Sequence, residues 1–236
     1  MISASTSLIL VLAIPAFSAG LLALLPAYRL SARVNIAASA LAFLAALSLV
    51  FLPRPEAGRV LFVDDLNIVF IVLNTFVGMT TSLFSASYIG HELETGRLTP
   101  AYLRFYHAMY QLMMGGMNLA LASNNIGLMW VGIEFATLTT VLMVGIYRTH
   151  EALEAAWKYF ILGSVGIGLA LFGTILIYMA ALPVVGEGAD GMIWTVLVEK
   201  AADFDPALIN VAFVFLLLGY GTKVGLAPLQ IGRAHV

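Results

Sequence analysis

The chain of 236 residues contains no cysteine. That absence excludes a disulfide framework, a thiolate nucleophile and a thiolate-bound cluster, so any redox cofactor is expected in another subunit. Charge is nearly as scarce: Asp, Glu, Lys and Arg make up 10% of the chain, against 61% hydrophobic residues and a mean hydropathy of +0.99. Values this far from the soluble average identify an integral membrane protein. The 11 basic and 13 acidic residues fall between apolar runs and form no basic patch, so no nucleic-acid partner is expected. His91, His107, His150 and His235 lack ligand-type spacing, and Met113, Met114 and Met117 have no second soft ligand spaced to help them. No metal site is expected.

What the chain does contain is apolar windows. Seven of them, at 7–25, 34–52, 66–88, 102–122, 126–147, 157–182 and 206–229, are long enough to cross a bilayer core of about 30 Å. The first has no preceding Lys or Arg and exceeds the core of a signal peptide, so it is read as the first span. Pro53 and Pro55 close the second window, Pro100 precedes the fourth, and Asn124 with Asn125 makes a tight connection to the fifth. Asp205 followed by Pro206 reads as an N-cap and a first helical residue. The predicted fold class is all-α, a polytopic transmembrane helix bundle of about seven spans.

Loop charge predicts orientation. Arg29, Arg33, Arg97, Arg104, Arg148 and Lys158 fall on one side, and Arg54, Arg59 and Lys200 on the other. The richer side is expected to be cytoplasmic, which places the amino terminus outside the cell's inner membrane. The acidic loop bearing Glu187, Asp190, Glu199, Asp203 and Asp205 is then also outside.

Packing accounts for several other features. Gly115 with Gly116, and Ser164 with Gly168, read as small-residue faces for helix contact. Asp64 and Asp65 read as helix caps. Two charges resist such an account. Glu134 sits near the middle of the fifth window, about ten residues from either end, and Lys223 lies in the seventh among Gly221, Gly225 and Pro228. An ionised group at bilayer depth costs at least ~2.5 kcal/mol, so both are expected to face protein or a wet cavity. Glycine and proline around Lys223 can interrupt a helix, and a broken helix carrying charge is a transport signature. The alternative for Lys223 is a side chain that snorkels to the interface, and for Glu134 a neutral acid bonded between helices. Lys158, between Trp157 and Tyr159, is either an interfacial anchor or a relay member. His107 is the one histidine within a span and a weaker relay candidate.

The runs LMWVGIEFATLTTVLMVGIYRTHEALEAAWKYFILGSVGIGLALFGTILIYMA (128–180) and GYGTKVGLAPL (219–229) resemble the antiporter-like membrane subunits of respiratory complex I, group 4 membrane-bound hydrogenases including formate hydrogenlyase, and Mrp antiporters. The resemblance implies that Glu134 and Lys223 form a coupled proton-transfer pair and that Lys158 matches a further family lysine. It also implies two inverted five-helix repeats, of which this chain holds an incomplete first one, with a broken seventh helix. A three-span region at 1–101 would precede the partial repeat at 102–229. Where the family continues Ala-Pro-Leu-His, this chain has Gln230 and then IGRAHV, which reads as a translated sequencing adapter. Residues 230–236 are therefore expected to be a non-native tail, with the natural chain continuing past position 229.

The function implied is a non-catalytic, proton-translocating membrane subunit of a redox-driven complex, of the NADH:quinone oxidoreductase or hydrogenase type. Iron–sulfur and nickel–iron or flavin centres would sit in partner subunits, with none in this chain. Its partners would be other membrane subunits, a peripheral redox arm and the bilayer, and its cargo H+ or Na+. The competing readings are a subunit of a multisubunit Na+/H+ antiporter and a structural membrane scaffold.

Overall fold

The computed structural model describes residues 3–25 and 27–226, with the backbone alone at Pro100, Ala101 and Leu103. The tail at 230–236, with the end of the predicted seventh span at Pro228 and Leu229, lies outside the described residues. Within them the chain forms α1 (Ala4–Leu24), α2 (Tyr28–Phe51), α3 (Asp65–Glu94), α4 (Pro100–Ala122), α5 (Ile126–Val144), α6 (His150–Val185), α7 (Trp194–Lys200) and α8 (Pro206–Val224). Extended pairing among them is limited to isolated bridges, Leu61 with Ser123 and Asn125 with Ile193.

Short polar side chains start the helices by accepting the first free backbone N–H groups. Asp64 accepts from Asn67 N at 2.8 Å, Asn125 from Leu128 N at 2.9 Å, Thr149 from Ala152 N at 3.2 Å and Asp205 from Ala207 N at 2.9 Å. Asp64 thus caps as expected, while Asp65 pairs with Arg54 at 2.7 Å. Several helices overrun the apolar windows: α6 begins at His150 rather than 157, and α3 extends to Glu94 rather than 88. The apolar run marks the part that hydrocarbon covers, whereas backbone hydrogen bonding continues until a cap intervenes.

Large apolar side chains point outward along the bundle, with Phe17 and Phe51 each 80% exposed and Phe84 77%. Such a surface suits lipid. Among the described residues six helices are long and apolar enough to cross a membrane, and α4 falls short although its 23 residues have the length. The reason is its position: α4 packs against α1, α2, α3 and α5, so its polar side chains meet protein. Gln111 and Asn118 are fully buried. Gln111 Nε2 donates to Asn35 Oδ1 at 2.8 Å and Ser39 Oγ at 2.9 Å on α2. Pro15, inside α1, has no N–H for the carbonyl of Val11 four residues back, and Asn118 Nδ2 reaches that carbonyl at 3.3 Å.

The loops gather at two ends. At one, Arg59 pairs with Asp190, Asn124 Nδ2 donates to Gly58 O at 2.7 Å and Thr195 Oγ1 at 3.1 Å, and Trp194 N donates to Asn124 O at 2.7 Å. At the other, Tyr88 meets Tyr147 at 3.2 Å and Arg148 lies over Tyr102 at 4.7 Å.

Close helix approach rests on glycine. A Cβ on Gly116 would meet Gly132 O at 3.0 Å and Ala136 N at 3.1 Å, so the expected α4 packing face is present. The expected pair on α6 is corrected: a Cβ on Gly168 meets nothing within 4 Å. The face of α6 that meets α8 carries Gly166, Ala170 and Gly173, and Gly168 lies about 200° around the helix from Gly166.

Candidate functional site

The seam between α5, α6 and α8 carries the two half-buried charges, Glu134 and Lys223. Glu134 and Thr137 are three residues apart on α5 and therefore share a face. Gly163 supplies the facing surface of α6, where a Cβ would come within 3.1 Å of Lys223 Nζ and 3.5 Å of Thr137 Cγ2. Lys223 belongs to the last turn of α8, which stops at Val224 because Gly225 adopts φ 71°, a left-handed conformation that glycine reaches without strain. The Gly225 N–H closes on Gly221 O, and Leu226 N reaches the same carbonyl at 2.9 Å. Within the described residues the seventh long helix therefore ends one residue after its lysine.

Lys223 turns into the seam. Its Nζ donates to Thr137 Oγ1 at 2.9 Å, so it does not snorkel to an interface. Glu134 Oε2 is buried without a hydrogen-bond partner, and Glu134 and Lys223 make no ion pair of 4.0 Å or less. Glu134 lies one turn before Thr137, where the Lys223 amine meets α5. Trp130 steadies the same wall, since its Nε1 donates to Ile167 O of α6 at 2.8 Å.

The other predicted site residues lie elsewhere. Lys158 is on an exposed face of α6 and pairs with Glu154, one turn earlier, at 2.5 Å. His107 is fully buried in α4, with Tyr28 stacked at 6.4 Å and Tyr106 edge-on at 5.3 Å, and neither ring nitrogen has a hydrogen-bond partner. Among the described residues no three His, Asp or Glu side chains converge as metal ligands.

Two residues escaped the sequence reading. Thr137 looks like an ordinary β-branched residue in an apolar helix, and its only signal is the i, i+3 relation to Glu134. Glu92, near the end of α3, looks like a loop acid, yet its side chain is 4% exposed. Arg97 Nη1 donates to Glu92 Oε1 at 3.3 Å, and both line a cavity of about 540 Å³ with Tyr88, Tyr147, Thr149 and Ala152.

Long helices with outward-facing apolar side chains around a seam that carries one carboxyl and one amine define a polytopic α-helical membrane protein. Residues 123–233 match the family described as NADH:quinone oxidoreductase/Mrp antiporter, transmembrane. It is 60% identical over 210 residues to a hydrogenase-4 component F homolog of Methylacidiphilum infernorum, a match covering 89% of this chain and 44% of the relative. It is 29% identical to an NADH-quinone oxidoreductase subunit N of Solibacter usitatus, over 77% of this chain and 35% of that one. The chain thus spans less than half the length of these relatives. Respiratory complex I from Thermus thermophilus superposes with a TM-score of 0.71 at 25% identity, covering 93% of this chain and 45% of the matched one. The membrane-bound sulfane sulfur reductase, an archaeal respiratory membrane complex, shares the fold with a TM-score of 0.76 at 22% identity, over 94% of this chain and 46% of the other. The family resemblance read from the sequence and the all-helical membrane fold are both borne out.

Proposed function

We propose that this chain forms part of a proton-translocating membrane subunit of a redox-driven complex, with Glu134 and Lys223 as its transfer pair. The observation that carries the reading is the seam itself: a buried carboxyl oxygen of Glu134 without a partner lies one turn from Thr137, the residue that holds the Lys223 amine. Low-dielectric surroundings favour the uncharged form of a separated acid or amine, and proximity favours the ion pair. A change in separation therefore moves a proton between them. Electrons would pass through iron–sulfur and nickel–iron or flavin centres in a peripheral arm, and the names of the relatives support a hydrogenase or NADH:quinone setting. The Mrp half of the family description supports Na+/H+ exchange as the second reading. In either setting Lys158 and His107 are candidates for a path beyond the pair.

Glu134→Gln, placed in the full-length protein assembled with its partners, is expected to cut proton uptake by inverted vesicles by roughly 100-fold, because an amide cannot exchange the proton. Glu134→Asp should retain part of the activity, limited by its shorter reach. Blue-native gels would establish assembly in each case. Wild-type uptake by the glutamine variant would leave the charges an architectural role and reject the proposal.

The proposed setting is the inner membrane with the amino terminus outside, and the six-to-three bias of Lys and Arg supports it. Cysteines introduced at Arg97 and Arg148 should react with an impermeant thiol reagent only from the cytoplasmic face, and one at Glu187 only from outside. The reverse pattern would invert the topology.

A further inference from the structure

We infer that Thr137 is a positioning residue, the dock that holds Lys223 when the lysine is not engaged with Glu134; this rests on the transfer pair proposed above. Lys223 Nζ donates to Thr137 Oγ1 at 2.9 Å, and that hydroxyl donates to Ile133 O of its own helix at 2.8 Å. A hydroxyl has one proton, and here the proton is committed to the carbonyl. Towards Lys223 the oxygen can therefore only accept, so Thr137 binds the amine without relaying a proton from it.

The dock is buried, with Thr137 6% exposed. Gly163 closes the opposite side, where a side-chain carbon would crowd Nζ at 3.1 Å. A hydrogen bond to an ammonium is stronger than one between neutral groups, so the dock favours the proton-carrying lysine. Glu134 is three positions back on the same helix, and Cβ atoms at that spacing lie about 5–6 Å apart. The four-carbon stem of Lys223 spans such an interval by rotamer changes alone. Lys223 thus has two partners on one helix face, a neutral acceptor and an acid, and occupies the neutral one in this structure. Without the dock the ammonium has no acceptor to return to after meeting Glu134, and turnover should slow at that step.

The test compares Thr137→Val, Thr137→Ser, Glu134→Gln and Lys223→Met in the full-length protein assembled with its partners. The rate of vesicle proton uptake is measured beside blue-native gels. Valine keeps the shape and removes the acceptor, and serine restores it. Thr137→Val is expected to lose about tenfold, the scale of a lost hydrogen bond to a charged group, with Thr137→Ser within about twofold of wild type. Equal losses in both variants would assign Thr137 to packing and overturn the dock. Wild-type uptake by Thr137→Val beside inactive Glu134→Gln and Lys223→Met would overturn the dock alone. Wild-type uptake by those last two would remove the transfer pair and the dock with it.

Discussion

Lys223→Met, in the full-length protein assembled with its partner subunits, is expected to lower proton translocation by roughly 100-fold or more while the complex still assembles. Methionine keeps an unbranched stem of similar bulk in the α5–α6–α8 seam, and Thr137 retains its own bond to Ile133 O at 2.8 Å, so no new unpaired donor is left behind. What disappears is the basic group in the last turn of α8. Lys223→Ala should fail likewise. Lys223→Arg should also fail, since a guanidinium keeps its charge but does not release its proton. The measurement is quinol- or hydrogenase-coupled proton uptake by inverted vesicles, with assembly followed on native gels. Pumping at the wild-type rate by the methionine variant would exclude Lys223 from the path.

Gly219→Val is expected to cost more in stability than any other single change in the α6–α8 pair. A Cβ at Gly219 would meet Ala170 N at 2.4 Å and Ala170 Cα at 2.7 Å, and these are backbone atoms that no rotamer change can move aside. The two helices would have to part, at an overpacking cost of about 1–3 kcal/mol or more. Gly168→Val provides the control, since a Cβ there meets nothing within 4 Å. In detergent, thermal unfolding followed by size exclusion should show a clearly lower melting temperature for Gly219→Val and little change for Gly168→Val. Equal melting of the two would mean that this seam is not tightly packed.

Much of this arrangement was legible in the residues. Asp205 with Pro206 marked the start of α8, Asn125 the start of α5 and Asp64 the start of α3, because capping is local chemistry. The two charges stood out because an ionisable group inside an apolar window has few benign explanations. The choice between glycine faces was not legible. Gly166 and Gly168 look alike in sequence, and which of them meets a neighbour depends on the rotation of α6 against α8, a property of the assembled pair. The short helix α7 was missed inside an acidic loop, where its seven residues carry no span-length signal. Lys158 was read as an anchor or relay member, and its bond to Glu154 is an i, i+4 pairing that the sequence contained but the reading did not use. Thr137 could be found only once α8 was in place, since its partner lies 86 residues away.

The cluster around Asn124 fixes one end of the bundle. Asn124 ties together the chain before α3 and the start of α7, and nearby Ile126, Ala181, Leu197 and Phe204 pack with Leu208 and Ile209 in the first turn of α8. Helix α8 is thus clamped at its base and carries its lysine at its tip. From Pro206 to Lys223 the arm is about 26 Å at 1.5 Å per residue. On an arm of that length, a tilt of about 2° at the clamp displaces the tip by about 1 Å, a sizeable part of the travel between a 2.9 Å hydrogen bond and none. Gly219, seated against the Ala170 backbone four residues before the lysine, holds such a tilt in check, so a change of partner falls to the lysine side chain while the helix that carries it stays in place.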